Sequence, residues 1–200
     1  MDVMDVMRFT EIEHKFVVSE QFDVEAFRGL VQALDPPPLR RFTLRVLDRY
    51  FLTEHGRANR YVIRHRYDAV LQHLTVKALA ADPEVRTEIN LDLGQHAGDQ
   101  SAAVDAFVAQ LGATWRGDIT KDIEVWEFPQ CEIVRYQARS GSRAVHCVEF
   151  EALHTASLDE ALAVLERFER ATGFADATRT LESLVDLLFP DVLRQAGARR

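Results

Sequence analysis

Lysine is scarce in this chain. Of its 24 basic residues only Lys15, Lys77 and Lys121 are lysine, and the other 21 are arginine. Cysteine is scarcer still: Cys131 and Cys147 stand alone and at no metal-ligand spacing, which excludes a disulfide scaffold and a zinc ribbon. No run approaches the roughly 20 apolar residues of a membrane helix. No apolar segment with a small-residue cleavage site opens the chain, so the expectation is a cytoplasmic protein with reduced thiols and no membrane partner. Glycine-rich phosphate loops are missing as well. Neither GxGxxG nor GxxxxGKS occurs, which removes the Rossmann and P-loop routes to a nucleotide. HExxH and GxSxG are absent too, so Ser140-Gly141-Ser142 reads as a turn and not as a nucleophile. Positive charge is short overall, with a formal net charge of -8, which argues against a nucleic-acid duplex as partner.

What is present fits one domain over residues 1–200, with 47% hydrophobic and 28% charged residues and the first seven residues expected to fray. Segments 8–18, 42–52, 60–68, 71–79, 85–93, 121–128, 131–138 and 145–152 carry the β-rich composition and alternation of strands. They are separated by turn residues such as His55-Gly56, Asp68-Ala69 and Asp82-Pro83. Helical periodicity covers 23–34, stopped by Pro36 to Pro38, then 101–111, ended by Gly112. A helix opened by Ser157 and Glu160 runs to Gly173, and a last one is read near 178–188. Eight strands with helices between and after them predict an α+β protein built on an antiparallel sheet.

The polar strand faces are unusual. Alternation puts Glu11, Glu13 and Lys15 on one face, Arg64 with Arg66, Lys77 with Thr75 and His73, Arg86 with Glu88 and Asn90, and Glu149 with Glu151. Each could be a solvated outer face. Yet all three lysines fall within predicted strands, and residues 39–77 hold nine basic against three acidic side chains. Several such faces converging inside an eight-stranded antiparallel β-barrel would leave room for one small ligand. An interior of Arg, Lys and Glu suits a polyanion with divalent cations. His14, His65 and His146 lie on the opposite faces and read as packing or surface residues.

In this order the motifs resemble those of the CYTH superfamily, the triphosphate tunnel metalloenzymes. Glu11-x-Glu13-x-Lys15 is similar to the ExExK signature, followed by Asp48 to Phe51, Arg64-x-Arg66, Lys77, Arg86-x-Glu88, Lys121 and Glu149-x-Glu151, over roughly residues 8–190. The resemblance implies an eight-stranded tunnel with flanking helices that binds a triphosphate-containing small molecule. It implies Lys15, Arg64, Arg66, Lys77, Arg86 and Lys121 as the phosphate clamp, and Glu11, Glu13, Glu88, Glu149 and Glu151 as ligands of Mg²⁺ or Mn²⁺. Lys15 is the expected helper of the attacking water, and a homodimer is compatible with the reading. The implied activity is triphosphate hydrolysis, with adenylate cyclisation or binding without turnover as alternatives. Asn90 and Ile123 depart from the family pattern, Asn90 removing a negative charge and Ile123 a positive one, and Arg135 or Arg143 could substitute for the latter.

Overall fold

A computed structural model describes residues 10–69, 71–79 and 85–194. The fraying expected of residues 1–7 and the turn read at Asp82-Pro83 lie outside the described residues. The strands are β1 (Thr10–Glu11), β2 (Glu13–Val18), β3 (Arg40–Thr53), β4 (Tyr61–Tyr67), β5 (Gln72–Ala78), β6 (Arg86–Asp92), β7 (Ala113–Glu127), β8 (Cys131–Ser140) and β9 (Arg143–Ala152). They form one sheet in the order β1-β6-β5-β4-β3-β7-β8-β9-β2, and every pair is antiparallel. β1 and β2 are one strand interrupted at Ile12. Its first part pairs with β6 through Glu11 and Arg86, and its second with β9 from Glu13 opposite Glu151 to Val18 opposite His146. The sheet therefore begins and ends on the same strand, which draws it into a barrel of eight strands.

Side-chain alternation splits the wall into an inner and an outer face. Outward-facing Phe16, Trp126, Ile133, Val148 and Phe150 are buried under α1 (Val24–Gln32) and α4 (Leu158–Ala171), whose Phe27, Val31, Leu165 and Phe168 complete that cluster. Phe27 meets Trp126 edge-on, with centroids 5.7 Å apart. Burial of each such side chain stabilises by about 1.5–3 kcal/mol. Val104 and Val108 of α3 (Ser101–Gln110) cover Phe51 and Ile63 in the same way. One end of the interior is filled by α5 (Leu184–Leu188), whose Leu184, Val185 and Leu188 pack with Leu52, Ile119, Ala138 and Cys147. Both cysteines are free and buried.

Three elements differ from the sequence reading. His55-Gly56 sits in a short helix, α2 (Glu54–Asn59), which Thr53 caps through Gly56 N at 2.8 Å. Strand β7 starts at Ala113, well before residue 121. Of the segment read as a helix near 178–188 only Leu184–Leu188 is helical, and a further short helix, α6 (Pro190–Arg194), follows it; upstream, Thr180 N donates to the Lys15 carbonyl of β2 at 2.8 Å. Among the described residues no helix is long and apolar enough to cross a membrane.

Candidate active site

Register assembles the inner face row by row. Arg40, Glu127, Glu132, Glu151 and Glu13 are successive neighbours across β3, β7, β8, β9 and β2. The next row runs Phe42, Val125, Val134, Glu149, Lys15 over the same strands. Around the other half of the barrel, Asp48, Arg66 and His73 share a row, Tyr50, Arg64, Thr75 and Asn90 the next, and Val62, Lys77 and Glu88 a third. These faces enclose a cavity of about 450 Å³. All eleven side chains expected at a site line it: Lys15, Arg64, Arg66, Lys77, Arg86 and Lys121, with Glu11, Glu13, Glu88, Glu149 and Glu151.

Inside, opposite charges are paired. Lys77 holds Glu11 at 2.6 Å and Glu88 at 2.7 Å, Arg64 reaches Glu88 at 2.9 Å, and Arg86 is paired with Glu13. Lys15 lies 3.0 Å from Glu149 and 3.4 Å from Glu13. Asp48, which is 0% exposed, receives a two-pronged contact from Arg66 at 2.7 and 2.8 Å and an ion pair from Lys121 at 2.7 Å. Burial alone would neutralise many of these groups, so neighbouring charge decides which of them stay ionised.

Burial raises the Glu13 carboxyl, but Lys15, Lys77 and Arg86 outweigh it and hold the group near 2. Glu11 moves the other way, to about 7, pushed by burial and by Glu13 and Glu88 against the pull of Lys77. Burial, Glu11, Glu13 and Glu132 raise the Glu151 carboxyl well above its ordinary value. For Lys15 burial opposes the charge, yet Glu13 and Glu149 prevail and its ammonium is held above the ordinary lysine value. So held, Lys15 keeps its positive charge between the two acids. The lysine brought toward neutrality is Lys121, lowered to about 8 by burial and by Arg66 and Arg64 against the attraction of Asp48.

The two departures have definite places. Asn90 accepts from Thr75 Oγ1 at 2.6 Å and donates to Glu88 at 3.2 Å, so it braces an acid. Ile123 lines the cavity as an apolar surface. Neither arginine offered as a substitute lines the cavity: Arg135 approaches Glu124 at 3.9 Å on the outer face, and Arg143, on the inner face at the barrel end, donates to the Leu188 carbonyl at 3.0 Å. His14 and His65 point away from the cavity, His14 to Glu169 and Arg179, His65 to Arg49. Sequence reasoning did not single out Asp48, Glu132 or Tyr136 as site residues. The alternation of Phe42, Leu44, Val46, Asp48 and Tyr50 on one face of β3 carried the signal for the first.

The acids supply oxygen donors only, the chemistry that hard divalent cations take. Among the described residues no three acid, histidine or cysteine groups stand gathered as a ligand cluster, since lysine and arginine partners draw Glu11, Glu13 and Glu149 aside. Glu13 and Glu151 stand opposite each other on β2 and β9, and such an oxygen-only pair has the donor chemistry that Mg²⁺ or Mn²⁺ takes.

No protein-family profile and no curated protein matches the sequence. Solved structures share the fold. A protein from Pyrococcus horikoshii OT3 superimposes with a TM-score of 0.70 at 17% identity, covering 89% of this chain and 99% of its own. A Bacillus halodurans protein described as a candidate adenylate cyclase gives 0.58 at 16% identity, over 90% and 99%. A Hippeastrum adenylyl cyclase candidate, described as revealing a dominant triphosphatase activity, gives 0.56 at 16% identity, over 93% and 96%. The barrel is thus the tunnel fold to which the ordered motifs pointed.

Proposed function

We propose that this chain is a divalent-metal-dependent triphosphatase that hydrolyses inorganic triphosphate or an organic triphosphate within the barrel. The observation that carries this reading is the convergence of six basic side chains, from β2, β4, β5, β6 and β7, with five glutamates on a single cavity. The Hippeastrum protein of the same fold, with its described triphosphatase activity, supports it. Phosphoryl transfer asks a protein chiefly for positioning and charge neutralisation, and this interior is built for both.

Arg64, Arg66, Lys77, Arg86 and Lys121 take the phosphate oxygens, with Arg64, Lys77 and Arg86 exchanging their glutamate partners for the ligand. Asp48, gripping Arg66 and Lys121 together, fixes where those two charges point. Lys15 stays protonated and offers charge and a hydrogen-bond donor between Glu13 and Glu149. Mg²⁺ or Mn²⁺ held by Glu11, Glu13, Glu149 and Glu151, with Glu88 adjoining, would supply Lewis-acid activation of water and neutralisation of the phosphate charge.

Phosphate release from tripolyphosphate, thiamine triphosphate and ATP, with Mg²⁺ or Mn²⁺, tests the reading. Turnover of at least one substrate is expected, reduced about a hundredfold or more in Glu11→Ala and Lys15→Ala. Inactivity on all three, or full activity in both variants, refutes it. Cyclic AMP formed from ATP in place of phosphate would assign the fold to cyclisation instead.

A further inference from the structure

Two rows of the inner wall turn no charge toward the cavity where they cross β3, β7 and β8. Phe42, Val125 and Val134 stand side by side there, and Leu44, Ile123 and Tyr136 form the row behind them. All six line the same cavity as the basic clamp. The wall also has little hydrogen-bonding capacity to offer: the Tyr136 hydroxyl donates to Glu149 at 2.7 Å. Above it, the Arg40 guanidinium lies over the Phe42 ring, 4.4 Å from its centroid. Anionic oxygens set against such a surface would give up water without gaining partners. A carbon skeleton would instead bury its own apolar area there. The cavity, about 450 Å³, is also of the size that encloses small organic ligands, about 300–1,000 Å³.

We propose that the site takes an organic triphosphate whose esterified group is an apolar ring, packed on the Phe42–Val125–Val134 wall, in preference to inorganic triphosphate. This rests on the triphosphate reading above and narrows it. A sugar rich in hydroxyls is disfavoured by the same wall, because its hydrogen bonds would go unmatched.

Calorimetric titration with benzyl triphosphate and with inorganic tripolyphosphate, in the same Mg²⁺ buffer, separates the possibilities. Benzyl triphosphate is expected to bind at least about tenfold more tightly, and Phe42→Ala to erase most of that advantage while changing tripolyphosphate affinity less than about twofold. Leu44→Ala, checked for folding by its melting curve, is expected to act in the same direction. Tripolyphosphate binding as tightly as the benzyl ester, or both ligands weakening equally in the two variants, overturns the inference and leaves the triphosphate reading standing. Binding of neither ligand overturns both.

Discussion

Lys121 is the lysine whose charge the barrel holds least firmly. Its ammonium is lowered to about 8 because burial and two arginines outweigh Asp48. An anionic ligand favours the charged form, so binding is strongest below that value and weakens as the pH rises through it. Tripolyphosphate affinity measured from pH 7 to 10 should fall toward about tenfold per unit on the alkaline side. Lys121→Arg, titrated in parallel, should remove that limb, since arginine keeps its charge throughout. Asp48 carries the opposite sign of argument. Burial opposes its ionisation, but Lys121 and Arg66 hold its carboxyl well below 3.8. Its stabilising contribution is thus present above the ordinary carboxylate range and lost as the pH falls toward its own lowered value. Asp48→Asn leaves two buried cations without their partner and should cost about 3–5 kcal/mol, read by urea unfolding at pH 7. The sequence displayed nine of the eleven expected residues because they recur at a two-residue step on their strands, while Lys77 and Lys121 stood out as lysines in an arginine-rich chain and through the family resemblance. Glu132 and Tyr136 escaped notice because their meaning depends on register: Glu132 matters through lying between Glu127 and Glu151, and no single strand records that.

At the scale of elements, the plug is the most sensitive part. Gly117 faces the barrel end where Trp115 and Phe189 pack with centroids 4.9 Å apart. A Cβ at this position would stand 2.5 Å from the Trp115 ring and 2.7 Å from the Phe189 ring. Gly117→Ala should therefore destabilise by about 1–3 kcal/mol, as overpacking does. In a double-mutant cycle Phe189→Ala should cost less in the Gly117→Ala background than in the parent, because the smaller side chain removes one of the clashes. The same glycine explains why the start of β7 was illegible. Gly112 and Gly117 bracket a stretch that reads as loop, and only the Trp115 ring folded over the same face of β7, with Phe189 against it, requires a glycine inside the strand. Strands β4, β5 and β6 were legible because their alternation is clean. The helix read near 178–188 was overextended because Thr180 gives its N–H to β2, Glu182 N donates to the Thr180 hydroxyl, and Ser183 caps the helix that starts only at Leu184.

For the whole molecule, a net charge of -8 is compatible with an anionic ligand in a cavity where basic side chains stand beside acids, because binding follows the local field. Tripolyphosphate at a hundredfold excess over its dissociation constant should stabilise the protein by about 2.7 kcal/mol, or raise the melting temperature by about 5–10 °C for a chain of this size. Duplex DNA in 0.15 M salt should leave the melting curve unchanged. Both follow from thermal scans, and a shift with DNA comparable to that with tripolyphosphate would contradict the inward placement of the clamp.

The interrupted first strand also sets an order of events. Its partners are β6 on one side and β9 on the other, so the earliest strand of the barrel waits for the last one before it can settle. Glu13 meets Glu151, and Lys15 meets Glu149, across most of the chain. Contacts of such sequence separation form late, after long loop closure has been achieved. The acid-rich seam is thus the last part of the wall to exist. A chain lacking residues 143–152 would leave β2 and β8 without the strand they share, so the wall would stay open where Glu13 and Lys15 lie.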